Sequence, residues 1–223
     1  MKGFLLFIKR VFYKMGVDIS FVRKEEEHSA IELNDVDSAN KAWSNEKISK
    51  GFLSKEVLLR FKETLTILEE HAIDLTGKSI IDVGCGNGML LKFLSDNFPV
   101  TTQVGMEYSI AAIEVAEKVN PVPEYVVHDI NLPYPVQYDA VICTEVLEHI
   151  LHPVTAFKNL LEIVMAKGIL LITVPNGRYD TFSGHINFWS PESWEVFISE
   201  NTGDLKYSTG RVERTLLYAI VYK

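Results

Sequence analysis

The segment Ile80-Ile81-Asp82-Val83-Gly84-Cys85-Gly86-Asn87-Gly88-Met89-Leu90 runs an apolar stretch straight into three glycines at alternate positions, and a helical pattern follows at once. Glycine at such a turn lets the chain bend tightly and lets a ligand touch backbone that a Cβ would block. The ligand then lies over a helix N-terminus, whose free N–H groups favour an anionic or carboxylate moiety. Glu107 closes the next apolar run, nineteen residues after Gly88. At that place in a parallel α/β sheet an acid hydrogen-bonds both ribose hydroxyls of an adenosine-containing cofactor. His128-Asp129-Ile130 follows the third run, so Asp129 is a second acid on the same edge, able to accept from an adenine amino group. Taken singly, Glu107 or Asp129 reads equally well as a solvated strand end. Asp82, three glycines, Glu107 and Asp129 in register are harder to read that way.

A second constellation follows the fourth apolar run: Thr144-Glu145-Val146-Leu147-Glu148-His149-Ile150-Leu151-His152-Pro153. Glu145, Glu148 and His149 stand at i, i+3 and i+4, a spacing that on one helical turn presents all three to a common point. His185, in the loop after the fifth run, is a fourth candidate. Two carboxylates and imidazoles suit Mg²⁺, Mn²⁺ or Fe²⁺ better than soft metals. Three readings compete: a metal site made by Glu145, Glu148, His149 and His185; His149, with Glu145, as acid–base catalyst without metal; and a purely structural role.

These residues need elements to position them. Short apolar runs at Ser79–Val83, Gln103–Met106, Tyr125–Val127, Ala140–Cys143 and Ile169–Val174 read as strands buried on both faces. Helical patterns at Ser54–His71, Met89–Asn97, Ile110–Val119, Val154–Ala166 and Trp194–Glu200 flank or separate them. Such alternation implies a parallel sheet with helices on both sides. Leu205–Ser208 and Thr215–Tyr222 follow with little between them and read as an antiparallel edge pair. Two segments could cover the ligand, Lys41–Leu53 and Asn176–Ser190. In the second, Arg178, Tyr179, Phe182, His185, Phe188 and Trp189 are candidate pocket residues.

A dinucleotide fingerprint would read Gly-x-Gly-x-x-Gly, but Met89 stands where its last glycine falls. Asp82-x-Gly84-x-Gly86-x-Gly88 instead resembles the first motif of the class I S-adenosylmethionine-dependent methyltransferases. The resemblance covers about residues 50–223 and extends to Tyr138–Cys143 as the family's fourth strand and to the C-terminal strand pair. It implies an α/β, Rossmann-like, seven-stranded, mostly parallel sheet with an antiparallel C-terminal pair and helices on both faces. It also implies that Gly84, Gly86 and Gly88 cradle the methionine part, with Cys85 and Thr144 on the cofactor side. Glu107 would hold the ribose, while Asp129, Ile130 and Tyr108 frame the adenine. Asp82 would either orient the glycine loop or contact the methionine amino group.

The Glu-x-x-Glu-His pattern with a distant His resembles two branches of that class. One is the catechol O-methyltransferases of ubiquinone biosynthesis; the other is the 2′-O-methyltransferases of small-RNA 3′ ends. Both act on vicinal hydroxyls that Mg²⁺ or Mn²⁺ can chelate. The expected activity is therefore methyl transfer to a small-molecule hydroxyl, of a catechol or quinone precursor or a sugar. The alternative from another class is a non-catalytic or NAD-type nucleotide-binding protein. The RNA branch is disfavoured by charge: 22 basic residues stand against 30 acidic, with no basic, aromatic-rich strip to guide a nucleic acid.

The length of 223 residues fits one domain with an appendage, placed here at 41–223 and 1–40. Residues 1–24 carry six basic groups against a single acid, Asp18. Over residues 2–15, Phe4, Phe7, Ile8, Val11, Phe12 and Met15 share one helical face, while Lys2, Lys9, Arg10 and Lys14 gather on the other. That pattern suits a helix lying on an anionic membrane surface, or one packed against its own domain or a partner in a homodimer. The five-residue run Phe4–Ile8 is too short to span a bilayer. Residues 25–40 are polar and acidic and read as a linker. Cys85 and Cys143 are too few for a disulfide framework, so the expected location is the cytoplasm, with peripheral contact at the inner membrane surface as an extension.

Overall fold

The computed structural model describes residues 34–45 and 55–223. The basic amphipathic pattern over 2–15 and most of the expected linker lie outside the described residues.

In chain order the elements are α1 (Val36–Ser44), α2 (Lys55–Glu70), β1 (Ser79–Val83), α3 (Met89–Asn97), β2 (Thr102–Glu107), α4 (Ile110–Val119), β3 (Glu124–Val127) and β4 (Tyr138–Thr144). A single 3₁₀ turn at Leu147–His149 follows. The chain continues through α5 (Pro153–Glu162), β5 (Val164–Pro175), α6 (Pro191–Thr202), β6 (Lys206–Val212) and β7 (Leu216–Tyr222). The seven strands form one sheet in the order β3-β2-β1-β4-β5-β7-β6. Strands β1 to β5 pair in parallel, and β7 runs antiparallel between β5 and β6. The expected sheet and its C-terminal antiparallel pair are both present.

Alternation along the central strands sends neighbouring side chains to opposite faces. Ile80, Ala140, Ile142 and Leu171 meet Phe61, Ile67 and Leu68 of α2 and Leu91 and Leu94 of α3. Ile81, Val141, Cys143 and Ile172 meet Phe157 and Leu160 of α5 and Trp194 and Ile198 of α6. Both faces are thus covered, which explains why these strands read as continuous apolar runs. The strand order reverses between β1 and β4. In open parallel sheets that reversal opens a crevice at the strands' C-terminal ends, where ligands bind.

Helices α3 and α4 have the expected bounds, Met89–Asn97 and Ile110–Val119. The fourth expected helix, Val154–Ala166, is shorter. Pro153 starts α5 one residue earlier, the helix ends at Glu162, and Val164 already pairs with Tyr138 in the sheet. Strand β6 runs to Val212 rather than Ser208, because its backbone follows β7 through the polar Thr209–Arg211 stretch. Part of the expected linker is helical: Asp35 caps α1 by accepting from Ser38 N (2.7 Å), and the boundary expected at 40/41 falls inside that helix. Among the described residues no helix is long and apolar enough to cross a membrane.

Candidate active site

The glycine loop leaves β1 at the switch point. Gly84, Gly86 and Gly88 all have positive φ, at 78°, 51° and 70°, in the left-handed region that favours glycine. A Cβ on Gly84 would strike the Val146 side chain, and one on Gly88 would strike the Tyr125 hydroxyl. The loop is pinned to the next strand, since Gly84 N and Cys85 N both donate to Met106 O (2.8 and 3.1 Å).

Glu107, at the end of β2, faces this loop. Its Oε1 accepts from Tyr108 N (2.9 Å) and Ser109 N (3.1 Å), and its Oε2 accepts from Gly86 N (3.3 Å). Burial raises its carboxyl above the ordinary range, and the three N–H donors oppose that rise. Asp82 lies at the same end of β1 and is buried, and among the described residues its Oδ1 has no hydrogen-bond partner. Burial, then the charge of Glu107, pushes the Asp82 carboxyl up to about 7. Cys85 is a buried free thiol whose pKa burial raises, so it is no nucleophile. Thr144 ends β4 across the crevice.

Beyond β3, Asp129 is exposed, and its Oδ1 closes a local turn by accepting from Asn131 N and Nδ2 (both 2.9 Å). Ile130 packs into the core with Val83 and Met106, and its carbonyl accepts from Asn159 Nδ2 (2.6 Å). The half-buried Tyr108 donates its hydroxyl towards Asn34 O and Asp35 O (3.4 and 3.5 Å).

Helix α1 lies on this edge. Asn40 Oδ1 accepts from Ser109 Oγ (2.8 Å) and Ala111 N (3.2 Å), serving the first turn of α4 from outside. The Trp43 indole lies over Gly86, 3.1 Å from where a Cβ would stand. The covering expected of Lys41–Leu53 is thus visible at Trp43; residues 46–53 of that segment are outside the described residues.

The second constellation differs from the helical-turn expectation. Glu145 has a left-handed φ of 56°, and the 3₁₀ turn begins only at Leu147. The i, i+3, i+4 geometry presupposes a helix from Glu145 onward, and Val146 (φ −124°, ψ −48°) is not helical. Glu145 therefore leaves the set: its carboxylate accepts from Thr173 Oγ1 (3.4 Å) and pairs with Arg60 Nε of α2 (3.6 Å). Burial pushes its carboxyl up to about 7 and Arg60 opposes that.

His185, the fourth expected candidate, stays with Glu148 and His149. Glu148, His149 and His185 each bring a ligand atom within 4.8 Å of the others. Backbone bonds tie the two loops that carry them: Ile186 N and Asn187 N donate to Glu148 O (2.8 and 3.0 Å), and Asn187 Nδ2 donates to Leu147 O and Ile150 O (3.0 and 2.8 Å). Glu148 is 1% exposed, and among the described residues neither carboxylate oxygen has a hydrogen-bond partner. Burial, then Glu145, drives its carboxyl well above the ordinary range. His149 Nδ1 faces Asn34 Oδ1 (2.8 Å) and Gly184 O (3.3 Å), so Nδ1 carries the proton and Nε2 keeps the lone pair. Burial, then His185, lowers its pKa to about 4, leaving it neutral at physiological pH.

A cavity of about 430 Å³ opens beside this cluster, lined by Arg60, Asn176, Tyr179, Phe182, His185 and Thr215 among others. Of the aromatic loop residues expected at a pocket, Tyr179 and Phe182 line it. Phe188 is half-exposed against the edge of His185 (6.2 Å), Trp189 is packed against Trp194 and Phe197, and Arg178 pairs with Glu192 at the surface (2.6 Å). Asn34, Asn40, Arg60 and Asp180 belong to the site without having stood out in sequence. Asp180 had one available signal, an acid five residues ahead of His185 in a glycine- and aromatic-rich loop.

Comparison with known proteins agrees with this fold. A family profile described as a methyltransferase domain matches residues 53–202. A ubiquinone biosynthesis O-methyltransferase of Rickettsia bellii (strain OSU 85-389) is 30% identical over 148 residues, covering 65% of this chain and 62% of the relative. One from Coxiella burnetii (strain Dugway 5J108-111) is 30% identical over 117 residues, covering 51% and 50%. The chain thus spans between half and two thirds of the length of these curated relatives. Among solved structures, the DhpI–SAM–HEP complex superposes with a TM-score of 0.69 at 15% identity, covering 88% of this chain and 99% of that one. The plantazolicin methyltransferase BpumL, solved with SAH and a triazolic desmethylPZN analog, superposes at 0.66 and 18% identity, covering 87% and 98%.

Proposed function

The chain belongs to the methyltransferase domain family, and we propose that it transfers the methyl group of S-adenosylmethionine to a hydroxyl oxygen of a small-molecule acceptor. The observation that carries this reading is the pairing of a glycine cradle that tolerates no Cβ with a buried, partnerless Asp82 oxygen beside it. An anionic orphan in that position suits the ammonium of the cofactor's methionine part, and Glu107 Oε2, with one long donor, has room for a ribose hydroxyl. The cofactor, when bound, supplies an electrophilic methyl group. The chain supplies position and proton handling: Trp43 covers the loop, and His149 keeps an unprotonated Nε2, which ligates a cation or, in the metal-free reading, takes the acceptor's hydroxyl proton.

We further assign Glu148, His149 and His185 as donors for a divalent cation such as Mg²⁺ or Mn²⁺. The fit rests on Glu148, whose two buried oxygens lack any protein donor; a buried carboxylate in that state calls for a cation or a proton. Three protein donors leave coordination positions for two acceptor oxygens, which favours a vicinal diol such as a catechol. When bound, the cation would supply charge that lowers the pKa of the acceptor hydroxyl. The relatives named for ubiquinone biosynthesis favour a quinone-precursor acceptor over a sugar. Support for an acceptor met at a cytoplasmic membrane surface comes only from the amphipathic sequence of residues 2–15.

The metal-free reading keeps His149 as sole base and is favoured by its fixed tautomer, which leaves Nε2 unprotonated. Two measurements test the proposal. S-adenosylhomocysteine should raise the melting temperature while NAD leaves it unchanged; stabilisation by NAD alone would remove the cofactor assignment. Methylation of a catechol should then be lost with EDTA and restored by Mn²⁺, whereas EDTA-resistant turnover would leave His149 acting without metal.

A further inference from the structure

We propose that Asp180 is a positioning residue that fixes the tautomer and direction of His185 towards Glu148, an inference that rests on the cation reading above. The two nitrogens of His185 face two different carboxylates: Nδ1 is hydrogen-bonded to Asp180 Oδ2, and Nε2 lies 3.9 Å from Glu148 Oε1. A neutral imidazole has one N–H, and among the described residues only Asp180 is within hydrogen-bond reach of it. The proton therefore sits on Nδ1, and Nε2 turns a lone pair towards a carboxylate oxygen that has no donor. That separation is too long for a hydrogen bond. With metal–ligand distances of about 2.0–2.2 Å, it is short enough for both atoms to share one ion.

Asp180 is itself held by the sheet. Asn176, just past β5, is buried and anchored by its Nδ2 to Arg214 O and by its N to Thr215 O (both 2.8 Å), and its carbonyl accepts from Asp180 N (3.1 Å). Asp180 Oδ1 accepts from Phe182 N (3.0 Å), which leaves Oδ2 for the imidazole. The chain β5–Asn176–Asp180–His185 thus delivers a lone pair to the far side of Glu148. A carboxylate behind a metal-binding imidazole raises its basicity and fixes its orientation, and losing one costs 10–100-fold in metal affinity in characterised sites.

The competing role for Asp180 is closure of its own loop, and two readouts separate them. In the full-length, ¹⁵N-histidine-labelled protein the imidazole ¹⁵N shifts should place the His185 proton on Nδ1; a proton on Nε2 overturns the proposal without any variant. Mn²⁺ is then titrated into S-adenosylhomocysteine-saturated wild type, Asp180→Asn and Glu148→Gln. The expected result is saturable binding in wild type, loss in Glu148→Gln, and binding weakened 10–100-fold in Asp180→Asn, which retains an acceptor for Phe182 N. Wild-type affinity in Asp180→Asn together with loss in Glu148→Gln means that Asp180 only closes the loop. No saturable binding in wild type removes the cation reading and this inference with it.

Discussion

Asn34 Oδ1 lies 2.8 Å from His149 Nδ1, although the two residues are 115 positions apart and Asn34 stands ahead of the region matched by the family profile. A residue from the N-terminal segment, together with Gly184 O, thereby fixes which imidazole nitrogen can take a proton or bind a cation. The same amide donates to Gly184 O (2.6 Å), tying the loop that carries His185 to the same segment. Replacing Asn34 with Ala should therefore lower kcat for the preferred acceptor, by up to about tenfold for a hydrogen bond of about 0.5–1.5 kcal/mol. Affinity for S-adenosylhomocysteine should be unaffected. Calorimetric titration with the cofactor product beside steady-state kinetics checks this, and a parallel loss of both would show that Asn34 merely holds α1 down.

The glycine loop and Glu107 make a sharper pair of variants. Gly86→Val places a β-branched residue at a φ of 51° and against Trp43, so cofactor binding should be abolished. Glu107→Ala removes the acceptor for three backbone N–H groups and for the ribose. Binding of S-adenosylhomocysteine should weaken by about 1.5–3 kcal/mol, roughly 10- to 150-fold. An unchanged dissociation constant in either variant would mean that the cofactor lies elsewhere.

Much of the scaffold was legible because local chemistry and burial agree. Strand β1 and helices α3 and α4 fall where the apolar runs, glycines and helical periodicity put them. All three members of the metal-like triad were legible, with Glu145 counted beside them. Glu148 and His149 are adjacent, so any backbone path keeps them close, but Glu145 depended on a helix that its left-handed backbone does not start. His185 was recoverable as a lone histidine in an aromatic loop, and Asp180 became meaningful only once that loop was folded. Asn34 and Asn40 were invisible for another reason. Their partners are 115 and 69 residues away, and nothing in a polar, acidic stretch distinguishes a docking asparagine from a solvated one.

Asp82 gives the fold a pH dependence whose sign follows from its raised pKa. Burial and Glu107 lift the carboxyl from 3.8 to about 7 in the folded chain. The native state therefore binds a proton more tightly than the unfolded one. The associated stability is fully present below about pH 4 and is lost as pH rises through 7. The contribution is at most about 4 kcal/mol. Cofactor-free protein should show this contribution as a fall in melting temperature between pH 5 and 8, and Asp82→Asn should flatten that part of the profile. An identical slope in Asp82→Asn would mean that its carboxyl titrates normally.

Glu148 sets stability against function. Glu148 is 1% exposed and, among the described residues, neither carboxylate oxygen has a hydrogen-bond donor, so the cation-free fold bears a desolvation cost that Arg60 offsets only in part. Glutamine in its place keeps the shape and the carbonyl while removing the charge. Cation-free Glu148→Gln should thus be more stable than wild type, by about 1–3 kcal/mol at pH 8. It should also lose Mn²⁺-dependent stabilisation. Saturating Mn²⁺ should reverse the order, because binding to the native state alone adds stability only to wild type. Chemical denaturation with and without Mn²⁺ reads both effects in one experiment. A destabilised Glu148→Gln would mean that a protonated Glu148 already finds a partner in the folded chain, and the argument for a cation would lose its main support.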